Sequence, residues 1–130
     1  MSLELEQPTI KEQFEQLMQE DNLPAVREFL DDQNISDVAD LIYDYPDYEA
    51  QIIASMSINR AAAVFKSLDV SRQKEIVHEL SSFKTAELLN ELPPDDRTDF
   101  LEELPKGVIR DLIKLLNNEE RKITLAMLGY

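Results

Sequence analysis

The stretch Leu88–Pro105, LLNELPPDDRTDFLEELP, sets three aspartates, Asp95, Asp96 and Asp99, between two Leu-Pro pairs. Glu102 and Glu103 extend the run of acids by a turn. If Pro94 opens a helix, Asp95 and Asp96 fall in its first turn, where negative charge complements the helix dipole by roughly 0.3–1 kcal/mol each. That role accounts for two of the three. Asp99 stands four residues after Asp95, and like charges at that spacing repel along one helix face. A hard divalent cation suits such a face, because magnesium keeps several of its waters and needs only one or two carboxylates. The spacing does not match a calcium EF-hand loop, which alternates ligands around a central Gly. Metal ligation, with Asp95 and Asp99 foremost and Asp96 third, and helix-end electrostatics are thus both open here. Arg97 is expected to point away from this face, with Glu-Arg pairing across neighbouring helices available to neutralise part of the charge.

No catalytic constellation accompanies these acids. The lone histidine, His78 in QKEIVHEL, lies between the apolar positions Val77 and Leu80 and reads as a bystander. Ser81-Ser82 has no base spaced to activate it, and capping a helix accounts for Ser81. Two glycines cannot build a phosphate-binding loop. The absence of cysteine excludes disulfides, zinc fingers and thiol catalysis. With none of the acid, base or nucleophile pairs that catalysis requires, the chain reads as a non-enzyme. Tyr43, Tyr45 and Tyr48 cluster around Pro46 and suit either packing or a binding platform.

The elements that must position these residues follow a twelve-residue period. Met56, Leu68, Leu80, Leu92, Leu104, Leu116 and Leu128 recur at that interval, and the positions three and four residues before each are also apolar, Thr124 alone excepted. That makes 20 apolar residues in 21 positions, where the 43% apolar composition gives about nine. Spacings of three and four place these side chains on one stripe of a helix. The next position is Ser57, Asp69, Ser81, Pro93, Pro105, Asn117 or Gly129, four of them good N-caps and two of them prolines that end one helix and suit the start of another. Each unit is therefore a helix of about eight to ten residues followed by a tight corner. Helices so short are unstable alone and must stack. The expected fold is all-α, a right-handed superhelical solenoid of short helices. Upstream the frame slips, with Leu41, Ile42 and Tyr45 imitating a unit and Pro46 at its corner. Residues 11–32 read as a helical pair broken near Asn22-Leu23-Pro24, and residues 1–10 as a flexible N-terminal segment ahead of one domain over 11–130.

At 130 residues the chain is long enough for a real core, and no apolar run approaches the roughly 18 residues of a membrane span. The start, MSLELEQPTI, lacks the basic and apolar regions of a secretory signal. Net charge is −14 and lopsided: residues 1–55 hold 14 acids and two bases, whereas 56–130 hold 13 acids and 11 bases. Between Glu28 and Asn59 there are eight carboxylates and no base. Such a field repels nucleic acid and anionic lipid and attracts cations or basic surfaces.

The phrase AELLNELPPDDRTDFLEELP, the chain of twelve-residue Leu units and the ending RKITLAMLGY resemble the N-terminal cytosolic domain of MgtE-type magnesium channels. The resemblance runs from about residue 11 and is strongest over 57–130. It implies a regulatory, Mg2+-sensing domain at the cytoplasmic face of the cell membrane. In that family the domain is followed by CBS domains, a connecting helix and a transmembrane pore in a homodimer. Mg2+ between acidic faces of the N-terminal and CBS domains holds the pore closed. Residue by residue, the metal-facing positions fall on Asp95, Asp99 and Asp96. A further acidic position of the family falls on Ala63 in RAAAVF, which has no carboxylate. CBS and pore segments are absent from residues 1–130, so this chain by itself transports nothing. Isolated, it is expected to bind Mg2+ weakly. A second reading is an acidic helical-repeat interaction scaffold, like domains of flagellar motor switch proteins, with a basic partner and no metal role.

Overall fold

A computed structural model describes residues 8–130. The expected loose segment lies, for residues 1–7, outside the described residues; Thr9 caps the first helix, accepting from Glu12 N while the Glu12 carboxylate accepts from Thr9 N. Ten α-helices follow, and no strand occurs among the described residues: α1 (Ile10–Glu20), α2 (Leu23–Asp31), α3 (Ile35–Asp44), α4 (Glu49–Ser55), α5 (Ile58–Ser67), α6 (Val70–Glu79), α7 (Ser82–Glu91), α8 (Pro94–Glu102), α9 (Lys106–Ile113) and α10 (Asn118–Leu128). The break at Asn22 separates α1 from α2 as expected, and Pro46 opens a single 3-10 turn, Pro46–Tyr48, before α4.

The corners have one recurrent chemistry. Met56, Leu68, Leu80 and Leu92 are extended residues that end α4, α5, α6 and α7. The next residue, Ser57, Asp69, Ser81 or Pro93, is extended as well, with ψ between 145° and 162°. Two extended residues in succession turn the chain, and the apolar one drops inward: Met56, Leu68 and Leu92 are all buried. Asp69, Ser81 and Asn117 each accept a hydrogen bond from the backbone N–H three residues on, satisfying an orphan donor of the new helix. Ser57 does not; its N–H and hydroxyl both donate to Asp31 Oδ1 instead. After α10 the chain turns through Gly129 at φ 81°, the left-handed C-cap conformation that glycine adopts without steric cost.

Helices pack mainly on the next but one along the chain: α3 on α5, α5 on α7, α4 on α6, α8 on α10. Two units, 24 residues, therefore make one layer of the stack. A single core runs through it, from Phe14, Val26 and Leu30 at the start to Ile109, Ile113 and Leu116 at the end. Phe65 and Phe100 meet edge to face at 5.4 Å and tie α5 to α8. Tyr45 and Tyr48 pack on Phe14, with ring centroids 5.3 and 6.1 Å away, while the Tyr43 hydroxyl donates to Asp69 Oδ2 and accepts from Asp69 N. The tyrosine cluster thus serves packing and corner bonding.

Long polar side chains pin alternate corners. Gln73, Arg97 and Arg121, spaced by 24, each reach back eight residues, to the carbonyls of Phe65, Leu89 and Ile113. These are last-turn carbonyls: at Leu89 the side chain is the donor that the following backbone does not provide, and at Phe65 and Ile113 it adds to a bond from Leu68 N and Leu116 N.

Candidate metal-binding face

Helix α8 opens at Pro94, whose fixed φ and missing N–H suit a first helical position, and Asp95 and Asp96 occupy the first turn. Arg97, Thr98, Phe100 and Leu101 turn into the protein and are buried. That leaves Asp95, Asp99, Glu102 and Glu103 exposed and Asp96 half-buried. Arg97 points away from this face, as its spacing predicts, and does not neutralise it. Its guanidinium, with no exposure at all, donates to Leu89 O (2.8 Å), Leu92 O (2.9 Å) and Thr124 Oγ1 (2.8 Å), and pairs with Glu120 Oε1 at 2.8 Å. The buried charge locks α8 from behind and fixes which way its acids face.

Asp96, Asp99 and Glu103 line one side of a surface depression of about 230 Å³ whose floor includes Phe65, Leu92 and Phe100. Lys66, on α5, lines the same depression and is its one cationic neighbour. Asp95, one of the two residues expected foremost, is exposed but is not part of this lining. None of the α8 acids takes part in an ion pair among the described residues, where the six pairs use other carboxylates. The chemistry of the face is that of hard oxygen donors, open to water, able to give a cation one or two carboxylates while solvent supplies the rest. Ala63 on α5 is half-buried and adds no donor.

A second acidic group was not legible in the sequence. Glu49, on α4, comes together with Glu75 and Glu79 of α6, one oxygen from each lying within 4.8 Å of the others; among the described residues it is the one such trio. Glu49 is 3% exposed and accepts from Arg72 Nη1 at 2.8 Å. Burial pushes the Glu49 carboxyl above its ordinary value, Arg72 pulls it part of the way back, and Glu79 and Glu75 raise it again. Arg72 already fills a cation's place beside this group. The i, i+4 spacing of Glu75 and Glu79 matches that of Asp95 and Asp99, but only the packing of α4 on α6 brings Glu49 to them. His78 is exposed, and Ser81 caps α7, as expected.

A family model described as the MgtE intracellular N domain matches residues 33–130. The chain belongs to this family. The match of this MgtE N domain begins at Gln33, one residue before the N-cap of α3, so the α1–α2 pair precedes it, although Phe14 and Leu30 are part of the same core. Among solved structures it is similar to the crystal structure of the cytosolic domain of the Mg2+ channel MgtE in complex with ATP, at TM-score 0.80 and 24% identity over 90% of this chain. The chain spans about half, 49%, of that solved chain, and at this identity the likeness carries the fold. No curated protein matches the sequence.

Proposed function

We propose that this MgtE N domain is the Mg2+-sensing regulatory domain of an MgtE-type channel, acting at the cytoplasmic face of the membrane. The observation that carries the reading is the α8 face: Asp96 and Asp99, beside Glu103 and Asp95, are solvent-accessible, without an ion pair among the described residues, and carried by a helix locked from behind through Arg97. Two carboxylates about 6 Å apart repel by roughly 3 kcal/mol at an effective dielectric near 20, and a divalent ion between them reverses the sign. Asp96 and Asp99 would give Mg2+ carboxylate oxygens, and Asp95 would add to the attracting field. CBS domains of the full-length homodimer supply the facing acids. Under this reading, bound metal favours the joined cytosolic domains and a closed pore, and its loss lets the acidic faces separate.

The face offers half a ligand set, so residues 1–130 alone bind Mg2+ in the millimolar range, on the logic of ligand count and charge. The test is a backbone-amide NMR titration with MgCl2 against NaCl at matched ionic strength. Saturable shifts over residues 95–103, lost in Asp96→Asn/Asp99→Asn and reduced in Asp95→Asn, support the reading. Equal, diffuse shifts in both salts would sink it, and saturable shifts at Glu75 and Glu79 would move the site to α6.

A further inference from the structure

Arg121 repeats, one layer further along the stack, the arrangement made by Arg97. Each stands four residues after its N-cap, Pro93 or Asn117. Arg97 Nε donates to the carbonyl eight residues back (Leu89, 2.8 Å), and Nη2 donates to those seven and five back (Asn90, 3.4 Å; Leu92, 2.9 Å). Arg121 makes the same three bonds at the same offsets, to Ile113 (3.3 Å), Lys114 (3.2 Å) and Leu116 (2.8 Å). The two differ in what lies over them. Helix α10 covers Arg97, where Thr124 and Glu120 complete its fork. Arg121 is half-buried, and among the described residues its Nη1 has no acceptor and its charge no acid partner.

The apolar positions tell the same story. Leu88 and Leu101 are each 1% exposed, whereas Leu112 and Leu125, 24 residues further on, remain half-buried. Charge gives the third observation. Residues 105–130 hold five bases (Lys106, Arg110, Lys114, Arg121, Lys122) against three acids (Asp111, Glu119, Glu120), a net of +2 in a chain of −14.

We propose that the α9–α10 end is a docking surface for a partner helix that presents a carboxylate residue and, four residues later, a hydroxyl residue. The chemistry is copied from the closed layer: Glu120 and Thr124 sit on one face of α10 at that spacing and fill the fork of Arg97. The uncompensated guanidinium charge favours a carboxylate, to which it donates a charge-assisted bond as Arg97 Nη2 does to Glu120, while Nη1 is left for a hydroxyl as at Thr124. Pinned by its three carbonyls, Arg121 is already oriented, so little side-chain entropy is lost on docking. Apolar residues beside the acid in the partner would cover Leu112 and Leu125.

The experiment uses the 130-residue chain, isotope-labelled, and a lactam-stapled peptide of residues 117–128, confirmed helical by circular dichroism, as the probe carrying Glu120 and Thr124. The expected result is saturable movement of the Arg121 Nε–H signal and of amides over residues 112–128. Binding falls by about tenfold or more, as for loss of a desolvated charge pair, when the peptide carries Glu120→Gln with Thr124→Val, and likewise in Arg121→Met chain. If Arg121→Met does not fold, the peptide substitutions decide by themselves. Absence of saturable shifts, or equal binding by substituted and unsubstituted peptides, overturns the proposal. So does self-association of the chain in sedimentation that Arg121→Met abolishes, because a second copy would then be the occupant.

Discussion

Glu120 Oε1 lies 2.8 Å from Arg97 Nη2, and this pair joins α10 to the hidden side of the helix that carries Asp96 and Asp99. The guanidinium is wholly buried, while the Glu120 side chain is 26% exposed. A buried charge of this kind stabilises only while every partner stays in place, since desolvating it costs several kcal/mol. Arg97→Met strands the carbonyls of Leu89 and Leu92 and leaves Glu120 unpaired. The expected cost is about 3–5 kcal/mol, read from the midpoint of urea unfolding. Arg97→Lys recovers little, because an ammonium cannot reproduce the fork.

Capping predicts a smaller, local effect. Ser81→Ala and Asn117→Ala each remove a side-chain bond to a helix N-terminus and cost about 1 kcal/mol apiece. Their sum in the double variant should be additive within about 0.5 kcal/mol, since α7 and α10 start at separate corners. A synergistic loss would show that the corners are coupled beyond their caps.

Glu49 and Asp69 give opposite pH dependences. The Glu49 carboxyl is raised in the folded state, chiefly by burial. Its stabilising contribution is therefore fully present below the ordinary glutamate value and is lost as pH rises through the folded one. Glu49→Gln, which imitates the protonated form, should raise Tm at pH 7 by about 2–4 °C, with the gain shrinking toward pH 4. A Tm lowered by the substitution at pH 7 would show that the Arg72 pair outweighs the burial. Asp69 is depressed, first by the Arg72 backbone N–H and also by the Tyr43 hydroxyl. Its contribution is present above the ordinary aspartate value and is lost as pH falls through the folded one. Asp69→Asn should accordingly flatten the acid limb of the stability profile.

Lys66 tests the electrostatics of the α8 depression without touching a carboxylate. As the cationic residue in that lining, it opposes any cation held there. Lys66→Gln should tighten Mg2+ binding by about two- to fivefold at low salt, the size expected for one exposed charge in a high-dielectric setting. The effect should fade as added NaCl shortens the screening length. Unchanged affinity by calorimetry or NMR titration would place the ion away from the Asp96–Asp99 side of α8.

The repeat was legible because a solenoid writes its packing locally. Each apolar triplet, such as Phe100, Leu101 and Leu104, lies within five residues of chain, and each corner residue, such as Ser81 or Pro93, follows it directly. Helix starts at Ile58, Val70, Ser82 and Pro94 fall where that phrase puts them. The outward position of Asp95 and Asp99 was equally readable, since their neighbours Phe100 and Leu101 define the buried stripe. The α1–α2 break at Asn22 followed from the Asn-Leu-Pro signal.

Relations between helices were another matter. Sequence spacing put Asp95 beside Asp99, but tertiary packing puts Asp96, Asp99 and Glu103 around one depression with Lys66, a residue 30 positions before Asp96 on another helix. The trio of Glu49, Glu75 and Glu79 exists only because α4 packs on α6. The partners of Arg97 lie five to eight residues back and 23 and 27 residues ahead, and it is the two distant ones, on α10, that bury its charge, which no local pattern could show. The sequence by itself determined short stacked helices, their ends and their apolar stripe, because backbone hydrogen bonding and burial act over one turn of chain. Which charges meet, and which of them lose their water, was decided by the superposition of layers 24 residues apart, where Coulomb and desolvation energies depend on distance in space.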